Sequence, residues 1–302
     1  MRIPRIKDIR SKLGAAKLLG IVVKNSLTFK IRHRALGRYR RTEFDTIIVD
    51  MDGTIYKTDA NLEALMLAYP EVMDSGKTSG EELYDSILAR IAGGEYSIER
   101  AIIEGNKFLM ARQFGRQHFF KVLDAVRPTL RKPLINALKE IKASGKTIVL
   151  ATLSSRDFGE ILNAYLKRKY NFEFDCIAGT KLSFSQNGEI SGLLSICGTK
   201  DFEIEGIHVK TKLTALKEAL EEKGKQFDMK KAVLITDSYA DIDIAKMLVT
   251  ILIKPSNPTA AQKVSHRLRL ADYILPDNSD LDINLQSIVL GAEKEEGASA
   301  VT

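Results

Sequence analysis

Six short apolar runs punctuate the chain, at 46-49, 147-151, 174-178, 232-236, 249-253 and 272-275. Most are nearly continuous in Val, Ile, Leu and Ala, the pattern of strands covered on both faces. Between them, apolar residues recur at three- and four-residue spacing, the period of an amphipathic helix. Strands alternating with helices predict an α/β fold, a doubly wound and mainly parallel sheet with helices on both faces. The stretch 59-125 has no strand pattern but carries Leu62-Leu65-Met66 and Leu83-Ile87-Leu88-Ile91 at helical spacing. It reads as a helical insertion after the first strand, dividing a predicted core into 44-58 and 126-290. From Lys181 to Ser195 polar and apolar residues alternate around Asn187-Gly188, which predicts a β-hairpin.

Chemistry gathers where the predicted strands end. The run Ile47-Ile48-Val49-Asp50-Met51-Asp52-Gly53-Thr54 sets two carboxylates two residues apart. In a strand, alternate side chains share a face, so Asp50 and Asp52 are expected to lean toward one point. With a permissive Gly and a hydroxyl following, such a pair suits a hard cation and phosphate chemistry. The competing reading is an Asp-rich turn that caps a helix. A second segment, Lys146 to Ser155, reads as a buried strand ending in hydroxyls, with Thr152 and Ser154 among them. Small donors at a strand's carboxyl end lie where ligands bind in open α/β sheets, although they also suit the turn into a helix predicted over 157-168. A third, Ala232 to Thr236, stops on Asp237 and offers Asp241 four residues later; Asp243 reads as a solvated or capping acid.

In order and spacing these segments resemble the haloacid dehalogenase-like phosphatases. Their first pattern, Asp-x-Asp-Gly-Thr after a hydrophobic strand, is matched by Asp50, Asp52, Gly53 and Thr54. Thr152 resembles the phosphate-binding hydroxyl of the second pattern, with Ser154 nearby. Asp237 and Asp241 resemble the pair in Gly-Asp-x-x-x-Asp, with Thr236 in place of the Gly. The family's Lys precedes a helix. Lys212, followed by Leu213, Leu216 and Leu220, fits that place better than Lys210, which stays open. The hairpin ahead of that Lys resembles the phosphoserine-phosphatase-like branch.

The resemblance implies a magnesium-dependent phosphomonoester hydrolase acting on a small-molecule or lipid-linked phosphate. Asp50 would be the nucleophile that forms an aspartyl-phosphate, and Asp52 the general acid and base. Thr152, Ser154 and Lys212 would hold phosphate. Mg²⁺ would be held by Asp50, the backbone carbonyl of Asp52 and Asp237, with Asp241 a further ligand or a support for one. The insertion would be a cap, with Phe108, Arg112, Phe114, Arg116, His118 and Phe119 available to line a pocket or to pack. Tyr56-Lys57-Thr58 stands where phosphoserine phosphatases carry an acidic segment, so phosphoserine itself is not carried over. Two other classes compete. A receiver-like signalling module also phosphorylates an Asp but needs neither the acid at 52 nor an insertion, and a catalytically idle binding relative has no need of intact acids.

Charge adds one feature. The chain of 302 residues has a net charge of +7, yet residues 1-43 hold 13 Lys or Arg against 2 acids. This basic N-terminal extension, +11 by itself, is joined to a slightly acidic body. Ile6, Ile9, Leu13 and Ala16 fall at helical spacing among its cations. That predicts either an amphipathic helix for an anionic membrane surface or a solvated tail or strut. The uncharged apolar run Leu18 to Val23 is far short of the ~20 residues of a membrane span. An organellar transit peptide fits the Arg-rich bias but not the low Ser content, and nucleic acid is not expected. The residues 291-302 are small and polar and read as a flexible tail. Two cysteines, Cys176 and Cys197, and four scattered histidines suggest neither a disulfide framework nor a zinc site. A reducing, cytoplasmic setting is the simplest reading, peripheral on a membrane if the extension binds one.

Overall fold

The computed structural model of the chain describes residues 44–237, 241, 244, 247–255 and 271–291. The basic extension 1-43, Asp243 and the tail beyond 291 lie outside the described residues. At the centre is β1 (Thr46–Val49), flanked in parallel by β2 (Thr147–Ser155) and β7 (Ala232–Thr236). Beyond β7 lie β8 (Val249–Lys254) and β9 (Tyr273–Pro276); beyond β2 lies β3 (Cys176–Phe184). An extension follows from β4 (Ile190–Gly198), β5 (Phe202–Ile204) and β6 (Ile207–Thr211). The order is β5-β6-β4-β3-β2-β1-β7-β8-β9, and only β3–β4 and β5–β6 are antiparallel.

The central strands are largely apolar because helices cover both faces. Ile47 and Val49 point into a core built with α5 (Lys132–Ala143), α6 (Arg156–Tyr170) and α8 (Leu281–Leu290), through Leu138, Leu162 and Leu285. Ile48 and Val149 point the other way, against Leu216 and Leu220 of α7 (Lys212–Glu221). The predicted strands 46-49 and 232-236 are found as read, whereas the second and third run longer. β2 continues through Thr152 and Ser154 to Ser155, with an irregular step against β3 after Ala151. β5 and β6 were not anticipated.

Between β1 and α5 lie four further helices: α1 (Ala60–Ala68), α2 (Ser79–Ala92), α3 (Ile98–Ala111) and α4 (Arg116–Val126). Side chains supply the acceptors that the first N–H groups require: Asp59 caps α1, Thr78 with Glu81 forms a capping box on α2, and Ser97 caps α3. The helical layer is tied to the β3–β4 hairpin by backbone. Arg116 N donates to Gly188 O at 3.0 Å and Ile190 N to Phe114 O at 2.8 Å. Gly115 is required there, because a Cβ would lie 2.5 Å from Gly188 O. A second tie comes from α3, where the buried Glu99 accepts from Thr199 N and Oγ1 at 2.8 and 2.7 Å. Of the residues read as pocket or packing, Phe114 and Phe119 are buried and in contact, and Arg116 lies over the Phe184 ring. Among the described residues no helix is long and apolar enough to cross a membrane.

Candidate active site

Register places the site. Val49 pairs with Leu150 on one side and Ile235 on the other, so the strands bearing Asp50, Thr152 and Asp237 end at a common edge. Asp50 N donates to Ile235 O at 2.9 Å, holding Asp50 at the strand end before the chain turns. Gly53 makes that turn with φ +72, and a Cβ there would lie 2.3 Å from Asp237 Oδ2. Only glycine allows both the left-handed backbone and the close carboxylate.

Asp50 is buried among charged groups. Its Oδ1 accepts from Lys212 Nζ at 2.7 Å, and Oδ2 lies 3.3 Å from Thr54 Oγ1, which is also 3.4 Å from Asp237 Oδ1. Lys212 pairs equally with Asp241 Oδ1, while Asp241 Oδ2 accepts from Thr236 Oγ1 at 2.8 Å. Thr236, the departure from the family's Gly, thus orients an acid. Lys212 is the first residue of α7, whose cap is the Thr211 hydroxyl. Lys210 instead holds Glu218 at 2.6 Å and is one-third exposed. Burial raises Asp50 well above the usual carboxylate range; Lys212 opposes this, and the charges of Asp241 and Asp237 add to it. Burial also works against the Lys212 charge, but Asp241 and Asp50 more than compensate, so its ammonium is held firmly.

Asp52 faces different company. Its Oδ1 accepts from Tyr56 OH at 2.6 Å and from Ala60 N, in the first turn of α1, at 2.8 Å. Its Oδ2 accepts from Ser154 Oγ at 2.6 Å, with Thr152 Oγ1 at 3.4 Å. Ser154 in turn accepts from Asn61 Nδ2 at 2.8 Å. The chain leaves the strand after Asp50, so alternation does not carry to Asp52, and the two acids share no partner. Burial, then the charge of Asp59, lifts Asp52 to about 6, against hydrogen bonds from Ser154, Tyr56 and Ala60. Tyr56 is buried and beside Asp52, and both facts keep its phenol protonated.

Three buried carboxylates, Asp50, Asp237 and Asp241, gather at this edge, and the Lys212 ammonium pairs with two of them, Asp50 and Asp241. Among the described residues no three ligating side chains close into a ready-made metal cage. Mg²⁺ does not need one, since it is ordinarily held by one or two carboxylates, water and substrate oxygens. Asp50 and Asp237, leaning on one hydroxyl, that of Thr54, fit that mode. Tyr56, Asn61 and Thr236 were not singled out from sequence as site residues. Each matters through a partner that only the fold supplies.

The sequence model of the family "haloacid dehalogenase-like hydrolase" matches residues 44–248. No curated protein sequence matches the chain. Among solved structures, a phospho-aspartyl intermediate analogue of phosphoserine phosphatase is similar with TM-score 0.53 and 16% identity, over 81% of this chain and 99% of that one. A family hydrolase from Salmonella enterica serovar Typhi gives 0.56 and 14%, over 83% and 73%. A protein of unknown function from Bordetella pertussis Tohama I gives 0.53 and 16%, over 78% and 100%. These structural likenesses establish a shared fold.

Proposed function

The chain belongs to the haloacid dehalogenase-like hydrolases, and from that premise we propose that it hydrolyses phosphomonoesters through an aspartyl-phosphate on Asp50. The observation that carries the reading is the pairing of a buried Asp50, gripped by Lys212 and Thr54, with a second acid two residues on that is lifted toward neutrality. Asp50 would form a bond to phosphorus as the bond to the leaving oxygen breaks, and Asp52 would give that oxygen its proton. Water would then attack the phosphorus of the aspartyl-phosphate, breaking its bond to the Asp50 carboxylate and releasing inorganic phosphate, with Asp52 taking up the proton of that water. Lys212 and Thr152 would hold the other phosphoryl oxygens, where charge spreads in the transition state. Ser154, read from sequence as a phosphate ligand, has its hydroxyl on Asp52, which supports a role in holding that acid. Bound Mg²⁺, on Asp50, Asp237 and the carbonyl of Asp52, would supply charge neutralisation; Asp241 would act through Lys212.

The substrate class is a small-molecule or lipid-linked phosphomonoester. Phosphoserine, named for one neighbour, is not carried over, because Tyr56 takes the acidic segment's place and is committed to Asp52. The helical layer 59-125 would serve as a cap that selects substrate and excludes water. The extension 1-43 would place the enzyme at an anionic membrane surface, and the free, buried thiols of Cys176 and Cys197 accord with a reducing, cytoplasmic setting. Phosphate release from a panel of phosphomonoesters, with Mg²⁺ and with chelator, is the test. Metal-dependent release that Asp50→Asn abolishes is expected; no release from any ester, or release that survives Asp50→Asn, would overturn the reading.

A further inference from the structure

The turn that carries Asp52 and Thr54 is held from behind by a buried cation. Residues 51–55 wind one tight turn, with Thr54 N and Ile55 N donating to Met51 O at 3.2 and 2.8 Å. Its outgoing arm is laid against a segment more than seventy residues away: Lys57 N donates to Thr129 O at 3.2 Å, and Arg131 N to Ile55 O at 2.9 Å. Arg131 then sends its side chain, 1% exposed, into the loop. Its Nη1 lies against the carbonyl oxygens of Gly53, of Thr54 at 2.8 Å and of Tyr56 at 3.4 Å. The opposite edge of the guanidinium meets Asp277, with Nε 3.2 Å from Oδ1, an ion pair and not an aligned hydrogen bond. Asp277, 8% exposed, follows β9 and is anchored through its N–H to Lys254 O at 3.0 Å. Lys57 Nζ approaches its second oxygen at 3.0 Å.

Three carbonyls from the turn and its outgoing arm, a guanidinium and a carboxylate that follows the edge strand β9 therefore form one buried assembly. Burying such a pair costs desolvation that an apolar pair of similar volume avoids, so stability alone is a poor reason for it. Its effect is geometric. The carbonyls it grips belong to the residues following Asp52 and to Thr54, whose hydroxyl stands between Asp50 and Asp237. We propose that Arg131, held by Asp277, is a positioning residue that sets the aim of Asp52 at the leaving oxygen. This rests on the phosphatase reading above.

A positioning role for a proton donor has a signature that a structural role lacks, because an ester with an acidic leaving group needs little protonation. Full-length wild type, Arg131→Lys and Asp277→Asn would be assayed with Mg²⁺ on β-glycerophosphate and on p-nitrophenyl phosphate. Lys keeps the charge but lacks the planar fork. Arg131→Lys is expected to lower kcat on the alkyl ester by about 10²-fold, the scale of a small misplacement. On the aryl ester the loss should be a few-fold, with KM little changed on both. Asp277→Asn should move the same ratio less far. Hydrogen exchange followed by mass spectrometry should show faster exchange at 51–58 in both variants, with β2 still protected, which confirms the fold. Equal losses on the two esters, a change confined to KM, or unaltered exchange at 51–58 would overturn the proposal. A wild-type protein that cleaves neither these esters nor any other of the phosphomonoester panel would sink the phosphatase reading instead, while the exchange data would still report whether the clamp holds the turn.

Discussion

Asp50 and Asp52 stand two residues apart, yet they occupy two chemically distinct regions. Around Asp50, apart from the Thr54 hydroxyl, the neighbours are ions: the Lys212 ammonium, then Asp241 and Asp237. Around Asp52 they are neutral donors, namely a phenol, a serine hydroxyl and the first backbone N–H of a helix. The first set can accommodate changes in charge at the edge of the sheet. The second holds one carboxyl group in place while leaving its proton affinity near neutrality, lifted to about 6. The division of labour proposed for the two acids therefore comes from their neighbours, since the side chains are the same.

Substitutions can break this contrast in graded steps. The largest effect is expected for Asp50→Asn, which keeps the shape but removes the nucleophile: phosphate release should fall by about 10⁴-fold or more, with circular dichroism unchanged. Asp52→Asn should cost roughly 10²–10⁴ in kcat, and the deficit should shrink as the leaving group becomes more acidic; a uniform deficit would show that Asp52 does not donate the proton. Lys212→Ala should cost about 10²–10³ in kcat, whereas Lys210→Ala, which loses only its Glu218 pair, should stay close to wild type. Equal deficits in steady-state assays of the two lysine variants would dissolve the distinction between their settings.

The smallest effect sharpens the comparison most. Tyr56→Phe removes a hydroxyl whose hydrogen bond lowers the Asp52 pKa, so the folded-state value should rise further. If Asp52 acts protonated, activity is lost as pH climbs through that value, and the descending limb of kcat/KM should shift to higher pH. A profile measured on an alkyl ester checks this, and a limb that stays in place or moves down would remove Asp52 as its origin.

The fold was legible where burial is symmetrical. β1 and β7, sealed on both faces, appear in the sequence as unbroken apolar runs with sharp ends. The apolar run of β2 stops at Ala151, and Thr152 and Ser154 look like turn residues, although their hydroxyls find hydrogen-bond partners that let the strand continue. β5 and β6 are short, and His208, Glu203 and Lys210 on them hide any strand pattern. In the candidate site, Asp50 and Asp237 directly follow strand ends and Lys212 starts a helix, which spacing reveals, while Asp52 and Thr152 were found as members of the same short runs. The contacts of Tyr56, Asn61 and Arg131 depend on how distant segments come together. Nothing local distinguishes a phenol bound to an acid, or an arginine filled with carbonyls, from any other Tyr or Arg.

The bond between the helical layer and the hairpin tip has a practical side. Asn187-Gly188 is the kind of polar, two-residue tip at which proteins usually accept an inserted peptide, a fluorescent label or a new chain terminus. In this molecule Gly188 O and Ile190 N are already engaged by Arg116 and Phe114, and Gly115 leaves no room between them. A graft at 187–189 would therefore unfasten α4 from the hairpin, making the apparent loop tip a structural seam.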